Sequence, residues 1–166
     1  MTKTRTTLIQ VRKTLERGSK NEIACVTQQK TLRPCVGISV MVGAAVGLEL
    51  GTVVGAGDIV GAGDIVGVAM DLDNHKVYWR KNNDAWMNSG DPTSGSTGTG
   101  AQSLDTGKFY FFAASVYGNE CFANFGNGYF GTTAVSSAGT NASNNGIFEY
   151  DVPSGYTALS TKGLNL

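Results

Sequence analysis

The chain has 166 residues, enough for one domain, with 23 glycines, few charged residues and no long amphipathic run. This composition favours an all-β, loop-rich class over a helical one. The net charge is zero, yet residues 1–33 contain eight basic and two acidic side chains. A basic tail of this kind sometimes binds nucleic acid, but a solvated arm is the preferred interpretation.

The first 57 residues contain no aromatic side chain. Leu8, Val11 and Leu15 recur at helical spacing, which predicts a short helix before Pro34. The uncharged run 36–48 is shorter than the roughly 20 residues of a membrane-spanning helix, so we predict neither a membrane segment nor a signal peptide. Residues 36–42 and 48–54 are rich in β-branched residues, and they are the alternative strands of this region.

A β-hairpin is predicted over residues 65–80. Ile65–Met70 is nearly continuously apolar, Asp71–Asn74 is a turn-forming stretch, and Lys76–Arg80 is β-branched and aromatic. A strand that is apolar at odd and even positions has both faces covered, as in a packed sandwich. Tyr78 and Trp79 are neighbours in the second strand, so they face opposite sides of the sheet.

Downstream, polar loops alternate with short apolar strands. Residues 84–108 predict a long Ser/Thr/Gly-rich surface loop. Phe109–Tyr117 and Glu120–Phe125 predict a second hairpin across a Gly-Asn turn. A second polar loop, 131–146, precedes the final predicted strands Ile147–Tyr150 and Tyr156–Leu159.

In order and spacing, these segments resemble a SPRY domain over residues 58–166. The turn Lys81-Asn82-Asn83 has Asn83 where the family has glycine, although asparagine tolerates the same left-handed backbone. Residues 150–159 are similar to the C-terminal segment of SPRY-like domains in tailed-phage proteins. The residues that match the family pattern are Asp64, Asp71, Trp79, Asn124, Phe125 and Gly126.

This resemblance implies an all-β fold, an antiparallel β-sandwich of the concanavalin-like, jelly-roll type over 58–166. Residues 1–57, which the resemblance does not cover, are expected to form an irregular N-terminal arm. The resemblance places Phe125 in the core and Gly126 at a backbone-permissive exit. It also implies a non-enzymatic recognition module that binds a protein partner through loops at one end of the sandwich. The phage-like segment implies a virion or tail-associated protein, found in the virion or in the host cytoplasm.

The two polar loops, 84–106 and 127–146, are the predicted contact regions. Their small polar residues supply adaptable hydrogen bonding, and Trp86 and Tyr129 are the predicted anchors. The candidate binding residues are Trp86, Asn88, Asp91, Tyr129, Asn141 and Asn144.

We expect no catalytic residue, metal or cofactor. Asp71 and Asp73 begin like a calcium loop, but the pattern fails at three later positions, so we expect these carboxylates to cap a turn. His75 has no nucleophile linked to it by a motif. Basic residues are scarce among the aromatic ones, which disfavours RNA binding.

Three alternatives stay open. A lectin-like domain of the same architecture would bind a host-surface glycan. A hydrolase on the same sandwich would use paired carboxylates, for which Asp71 and Asp73 have the spacing but not the strand position. An incomplete SPRY fragment would lack a function of its own, and the absence of aromatic residues before Tyr78 keeps this alternative open. A frameshift over 1–57 would explain that absence, which the coding DNA would test.

Overall fold

A computed structural model of the protein describes residues 6–14, 38–44, 50–51, 62–108, 110–116, 120–139 and 146–159. The regular structure of these residues consists mainly of strands in antiparallel sheets, with very little helix, which confirms the all-β class. Two short 3-10 helices, Met87–Ser89 and Pro92–Thr97, lie in the long polar loop. The strands are β1 (Thr6–Thr14), β2 (Ile38–Ala44), β3 (Leu50–Gly51), β4 (Ile65–Asp71), β5 (Lys76–Lys81), β6 (Gln102–Ser103), β7 (Tyr110–Val116), β8 (Glu120–Asn124), β9 (Tyr129–Phe130), β10 (Thr133–Ala134) and β11 (Thr157–Ala158).

The chain divides into two compact units. The first comprises Met1–Arg12, Ile65–Gly107 and Phe122–Leu166, and the second comprises Lys13–Asp64 and Lys108–Cys121. The domain boundary expected between residues 57 and 58 falls in 52–61, outside the described residues, so it stays a prediction.

The first unit is built on a sheet in the order β11-β1-β4-β5-β6. The β1–β11 pair is parallel, the β1–β4, β4–β5 and β5–β6 pairs are antiparallel, and β8 also pairs with β1. A separate hairpin, β9–β10, pairs Phe130 with Thr133.

The predicted β4–β5 hairpin is confirmed, and β4 is buried along its whole length. The left-handed residue of the closing turn is Asn82, with φ of 49°, rather than Asn83. Its side-chain Oδ1 accepts from the Ile65 amide at 2.9 Å, and its own amide donates to the Ile65 carbonyl at 2.7 Å. These two bonds close the open end of the hairpin, where an asparagine supplies both the turn and a side-chain acceptor.

Asp71 closes the other end of the hairpin as expected. Its Oδ1 accepts from the amides of Asp73 and Asn74, and its Oδ2 accepts from the Asn74 side chain at 2.7 Å. A buried carboxylate is thereby satisfied within its own turn.

One face of this hairpin forms the core of the first unit. Ala69 and Tyr78 are cross-strand partners on that face, so their side chains lie side by side. They pack in one cluster with Phe148 and Tyr156, which come from the C-terminal segment. Trp79, on the opposite face, is also buried, so both aromatic neighbours of β5 are covered.

The N-terminal region differs from the expected irregular arm. Leu8 and Val11 lie in the strand β1, which pairs with β4 over seven residues, and not in a helix. Threonine, isoleucine and valine alternate through this stretch, and their β-branched side chains favour a strand. Leu15, the third residue of the predicted helix, lies outside the described residues.

The second unit contains a sheet in the order β3-β2-β7. β2 and β3 therefore confirm the alternative that residues 36–60 supply strands. β7 pairs with β2 over seven residues, whereas β8 pairs with β1, so the hairpin predicted between β7 and β8 is wrong. Sequence proximity favours a hairpin, but β2 offers β7 an apolar partner that matches its full length.

The C-terminal strands are shorter than predicted. Ile147 makes only an isolated bridge to Asn127, so residues 147–150 are not a strand, and β11 comprises two residues. In the described part of the chain, no helix is long and apolar enough to cross a membrane.

Candidate functional site

The site begins with an arginine inside the hairpin. Arg80 lies on the same face of β5 as Tyr78, and its cross-strand partner is Gly67. A Cβ at position 67 would lie 3.2 Å from the Arg80 Cγ, so the glycine leaves the space in which the arginine stem lies along the sheet. The stem is thus buried, with 6% of the residue exposed.

The guanidinium of Arg80 is held between an aromatic ring and a carbonyl. Its Cζ lies 4.8 Å from the centroid of the Trp86 ring, and its Nη2 donates to the Asp151 carbonyl. Burial lowers the pKa of this guanidinium, whereas the charge of Asp151 raises it. A desolvated cation–π contact contributes up to about 2 kcal/mol, which offsets part of the cost of burying the charge.

The loop that carries Trp86 is folded onto itself by short hydrogen bonds. Asp91 Oδ1 accepts from the Thr93 amide at 2.8 Å and from the Thr93 hydroxyl at 2.6 Å. The Asp91 amide donates to the Thr99 carbonyl at 3.0 Å, and the Ser94 hydroxyl accepts from the Thr99 amide at 3.0 Å. Hydrogen bonding to Thr93 holds the pKa of the Asp91 carboxyl below its ordinary value, so this exposed group is a carboxylate at neutral pH.

Two core tyrosines attach this loop to the first unit. The Tyr156 hydroxyl donates to the Pro92 carbonyl at 3.0 Å, and the Tyr78 hydroxyl lies 3.4 Å from the Ser94 hydroxyl. Trp86 packs against the core cluster, and its ring is T-shaped to the ring of Tyr78, with 6.5 Å between the centroids. The loop is therefore anchored at three points, each through an aromatic side chain.

Replacing Tyr156 by phenylalanine is expected to lower the free energy of unfolding by about 1–2 kcal/mol, because the buried Pro92 carbonyl loses its partner. Urea denaturation measures this loss, and amide hydrogen exchange at Thr99 is expected to quicken as the loop loosens. The control is Tyr129→Phe, whose ring is 48% exposed. A Tyr156→Phe variant as stable as that control would contradict the anchoring role.

Between this loop and the C-terminal segment lies an open cavity of about 340 Å³, called the Trp86 pocket below. Its volume is at the lower end of the range for ligand sites in proteins, roughly 300–1,000 Å³. The walls combine apolar and polar groups. The apolar ones include Trp86, Pro92, Val152 and Pro153, and the polar ones are Arg80, Asp91, Thr93 and Asp151.

The structure brings together two of the six predicted binding residues, Trp86 and Asp91, in the wall of this pocket. Asn88 is exposed in the same loop with a left-handed φ of 55°, and it is not part of the pocket wall. Tyr129 lies on β9, away from this wall, and is exposed as expected. Asn141 and Asn144 lie outside the described residues.

The residues that match the SPRY pattern fall into two groups. Asp71, Trp79 and Asn124 are buried, and Gly126 adopts a left-handed φ of 98° as expected. Phe125 is 38% exposed, so its predicted core position is wrong. Side chains alternate along a strand, and because Asn124 at the end of β8 faces inward, the next residue faces out. Asp64 is half-buried just before β4.

Among the pocket residues that sequence reasoning missed, two are charged, Arg80 and Asp151. Sequence reasoning also missed one buried polar contact elsewhere. Gln10, on β1, is fully buried, and its Oε1 accepts from the Glu149 amide at 3.0 Å. In the described ranges, no three histidine, cysteine, aspartate or glutamate side chains come together as a metal site.

Comparison with known proteins identifies no relative. No protein-family model matches the chain, and searches of curated proteins and of solved structures found no match.

Proposed function

We propose that this chain is a non-enzymatic recognition module that binds a protein partner through the Trp86 pocket and the surrounding loop, 84–106. The observation that carries the proposal is the pocket itself, where an aromatic ring, a carboxylate and a hydroxyl line one concave surface. Pockets of this kind, with apolar walls and a few placed polar groups, are the usual form of a binding site.

The order of the loop supports this function. Asp91 and Ser94 accept hydrogen bonds from backbone amides of the loop, and Tyr156 donates one to it, so the loop is fixed before any partner arrives. A partner then meets a preorganised surface, and binding costs less conformational entropy than it would with a mobile loop. Trp86 supplies a rigid anchor, and Thr93 supplies an exposed hydroxyl at the rim.

The finer description of the fold belongs to the same proposal. We propose a concanavalin-like, jelly-roll-type sandwich of the SPRY kind in a phage virion or tail-associated protein. The order of the sequence motifs supports it, as does β4, whose complete burial requires cover on both faces. The pairing of β1 with β4 over seven residues speaks against an incomplete fragment, because the N-terminal segment takes part in the main sheet.

A random peptide library displayed on phage tests the function. Selection on the full chain is expected to enrich peptides whose affinity is at least tenfold weaker for the Thr93→Tyr variant. Thr93 is exposed, so the larger side chain fills the pocket without disturbing the core. Tyr129→Ala is the matched control on another surface, and it is expected to leave binding unchanged. Enrichment only of peptides that bind Thr93→Tyr equally well would contradict the proposal.

The second candidate function is carbohydrate binding, for which the pairing of Trp86 with Asp91 and Thr93 is the supporting observation. Sugars stack their apolar faces on aromatic rings, and their hydroxyls hydrogen-bond to carboxylates. A glycan array probed with the same two variants separates the candidates. If the chain selects no peptide but binds a glycan, and Thr93→Tyr abolishes that glycan binding, the ligand is a host-surface glycan and not a protein.

A further inference from the structure

We propose that the Trp86 pocket receives a basic side chain, lysine or arginine, from the partner. This inference rests on the proposed function, since it names the chemical group that the same pocket recognises. It follows from the distribution of charge in the pocket wall and from the shape of its apolar walls.

The charges in the pocket wall favour a basic ligand group. The pocket wall contains one basic residue, Arg80, and two acidic residues, Asp91 and Asp151. Asp151 interacts electrostatically with Arg80 and stabilises its charged form, so these two charges compensate each other. Asp91 is left as the uncompensated charge of the pocket. A ligand group of opposite sign is therefore favoured.

The Asp91 carboxylate is available to a ligand. Both hydrogen bonds from Thr93 end on Oδ1, and among the described residues Oδ2 accepts none. These bonds orient the carboxylate and hold it ionised, while the residue stays exposed at the pocket rim. An oriented carboxylate with a free oxygen suits a guanidinium or an ammonium, with which it forms a charge-assisted hydrogen bond.

The pocket does not suit an anionic ligand group. Arg80 is the cation that an anionic ligand would have to reach, but it is only 6% exposed. Its Nη2 is engaged by the Asp151 carbonyl, and its Nε is buried against Gly67. Trp86 covers its guanidinium. An acidic group from the partner would therefore meet Asp91 before it met Arg80.

The apolar walls fit the stem of a basic side chain. Lysine and arginine bury their methylene groups against apolar surface while the charged head stays near water. Trp86, Pro92 and Pro153 supply that surface, and Asp91 lies at the rim. The pocket is small for a folded segment but suits one long side chain.

This inference is tested by titrating the full chain with N-acetyl-arginine amide. The NMR signals of the Trp79 and Trp86 indole N–H groups report binding. The neutral isostere, N-acetyl-citrulline amide, is the matched ligand. We expect the arginine compound to shift the Trp86 indole signal, and to bind about tenfold more tightly than the citrulline compound. The Trp79 signal is expected to stay in place, because Trp79 lies on the opposite face of the sheet.

The protein variant is Asp91→Asn, which keeps an acceptor for Thr93 and removes the charge. It is expected to weaken binding of the arginine compound about tenfold. Asp105→Asn removes the same charge from an exposed position outside the pocket wall, and it is expected to change the affinity less than twofold. Equal binding of the two compounds, no binding of either, or equal effects of the two variants would overturn the inference.

The outcome stays distinct from that of the proposed function. Peptides that depend on Thr93 but carry no excess of lysine or arginine would overturn the basic-side-chain inference and leave the recognition module in place. A library that yields no Thr93-dependent peptide would count against the module itself, whatever the arginine compound does.

Discussion

Replacing Asn124 by leucine is expected to destabilise the protein by about 3 kcal/mol. Asn124 is fully buried, and its side chain organises the turn that follows β8. Its Oδ1 accepts from the amides of Gly126 at 2.7 Å and Gly128 at 3.3 Å, and its Nδ2 donates to the Ile147 carbonyl at 2.9 Å. Leucine has a similar size but leaves three backbone groups without these partners. Urea denaturation followed by tryptophan fluorescence measures the loss.

The matched control is Asn127→Leu in the same turn. Asn127 is exposed, and its Oδ1 accepts a single bond from the Tyr129 amide at 3.2 Å. Water replaces that acceptor when the side chain is removed, so we expect a loss below about 1 kcal/mol. Similar losses in the two variants would show that burial of Asn124 contributes nothing beyond one turn hydrogen bond.

Local patterns in the sequence are sufficient for the β4–β5 hairpin. Its strands are apolar or β-branched over their whole length, and the turn formers between them fix the register. In this register Gly67 is the cross-strand partner of Arg80. The hairpin pattern therefore also predicts space for an arginine side chain opposite the glycine. The pairing of Gly67 with Arg80 is the sequence signal that identifies Arg80 as a pocket residue.

Long-range contacts explain what the sequence did not predict. The prediction of a helix at Leu8 and Val11 rests on three apolar residues at helical spacing, but pairing of β1 with β4 decides the conformation. Arg80 donates a hydrogen bond to the Asp151 carbonyl, which is more than 70 residues away in the sequence, and no local sequence pattern predicts that contact. Trp86 and Asp91 were predicted as surface residues of a polar loop, without the cavity that joins them.

The error at Phe125 has a local cause. The resemblance to the SPRY pattern placed the phenylalanine in the core because it is the large apolar residue of the three. The buried residue is instead Asn124, whose side-chain amide hydrogen-bonds to the backbone of Gly126 and Ile147. Hydrophobicity alone ranks these two residues in the wrong order, because a polar side chain is buried when its bonds are satisfied inside.

Replacing Gly126 by alanine is expected to destabilise the protein by about 3 kcal/mol, through two separate effects. The backbone φ of 98° at this position is one that residues with a Cβ adopt at a cost of about 1 kcal/mol or more. A Cβ here would also lie 2.6 Å from the Ala158 Cβ and 3.0 Å from the Gly146 Cα. Neither neighbour is a flexible side chain, so β11 or the 146 segment has to move.

Gly155→Ala separates the two effects. Gly155 has a similar φ of 87°, but a Cβ there meets nothing within 4 Å, so only the cost of the left-handed backbone remains. We expect this variant to lose about 1 kcal/mol by urea denaturation, and the difference from Gly126→Ala then measures the close approach of β8, β11 and the 146 segment. Equal losses would mean that these segments are less tightly packed than the distances indicate. The Ile147 amide donates to the Gly126 carbonyl at 2.9 Å, so its hydrogen exchange reports whether these two segments separate. A larger loss of stability in Gly126→Ala, with faster exchange at Ile147, would show that the alanine separates the segments that Asn124 holds together.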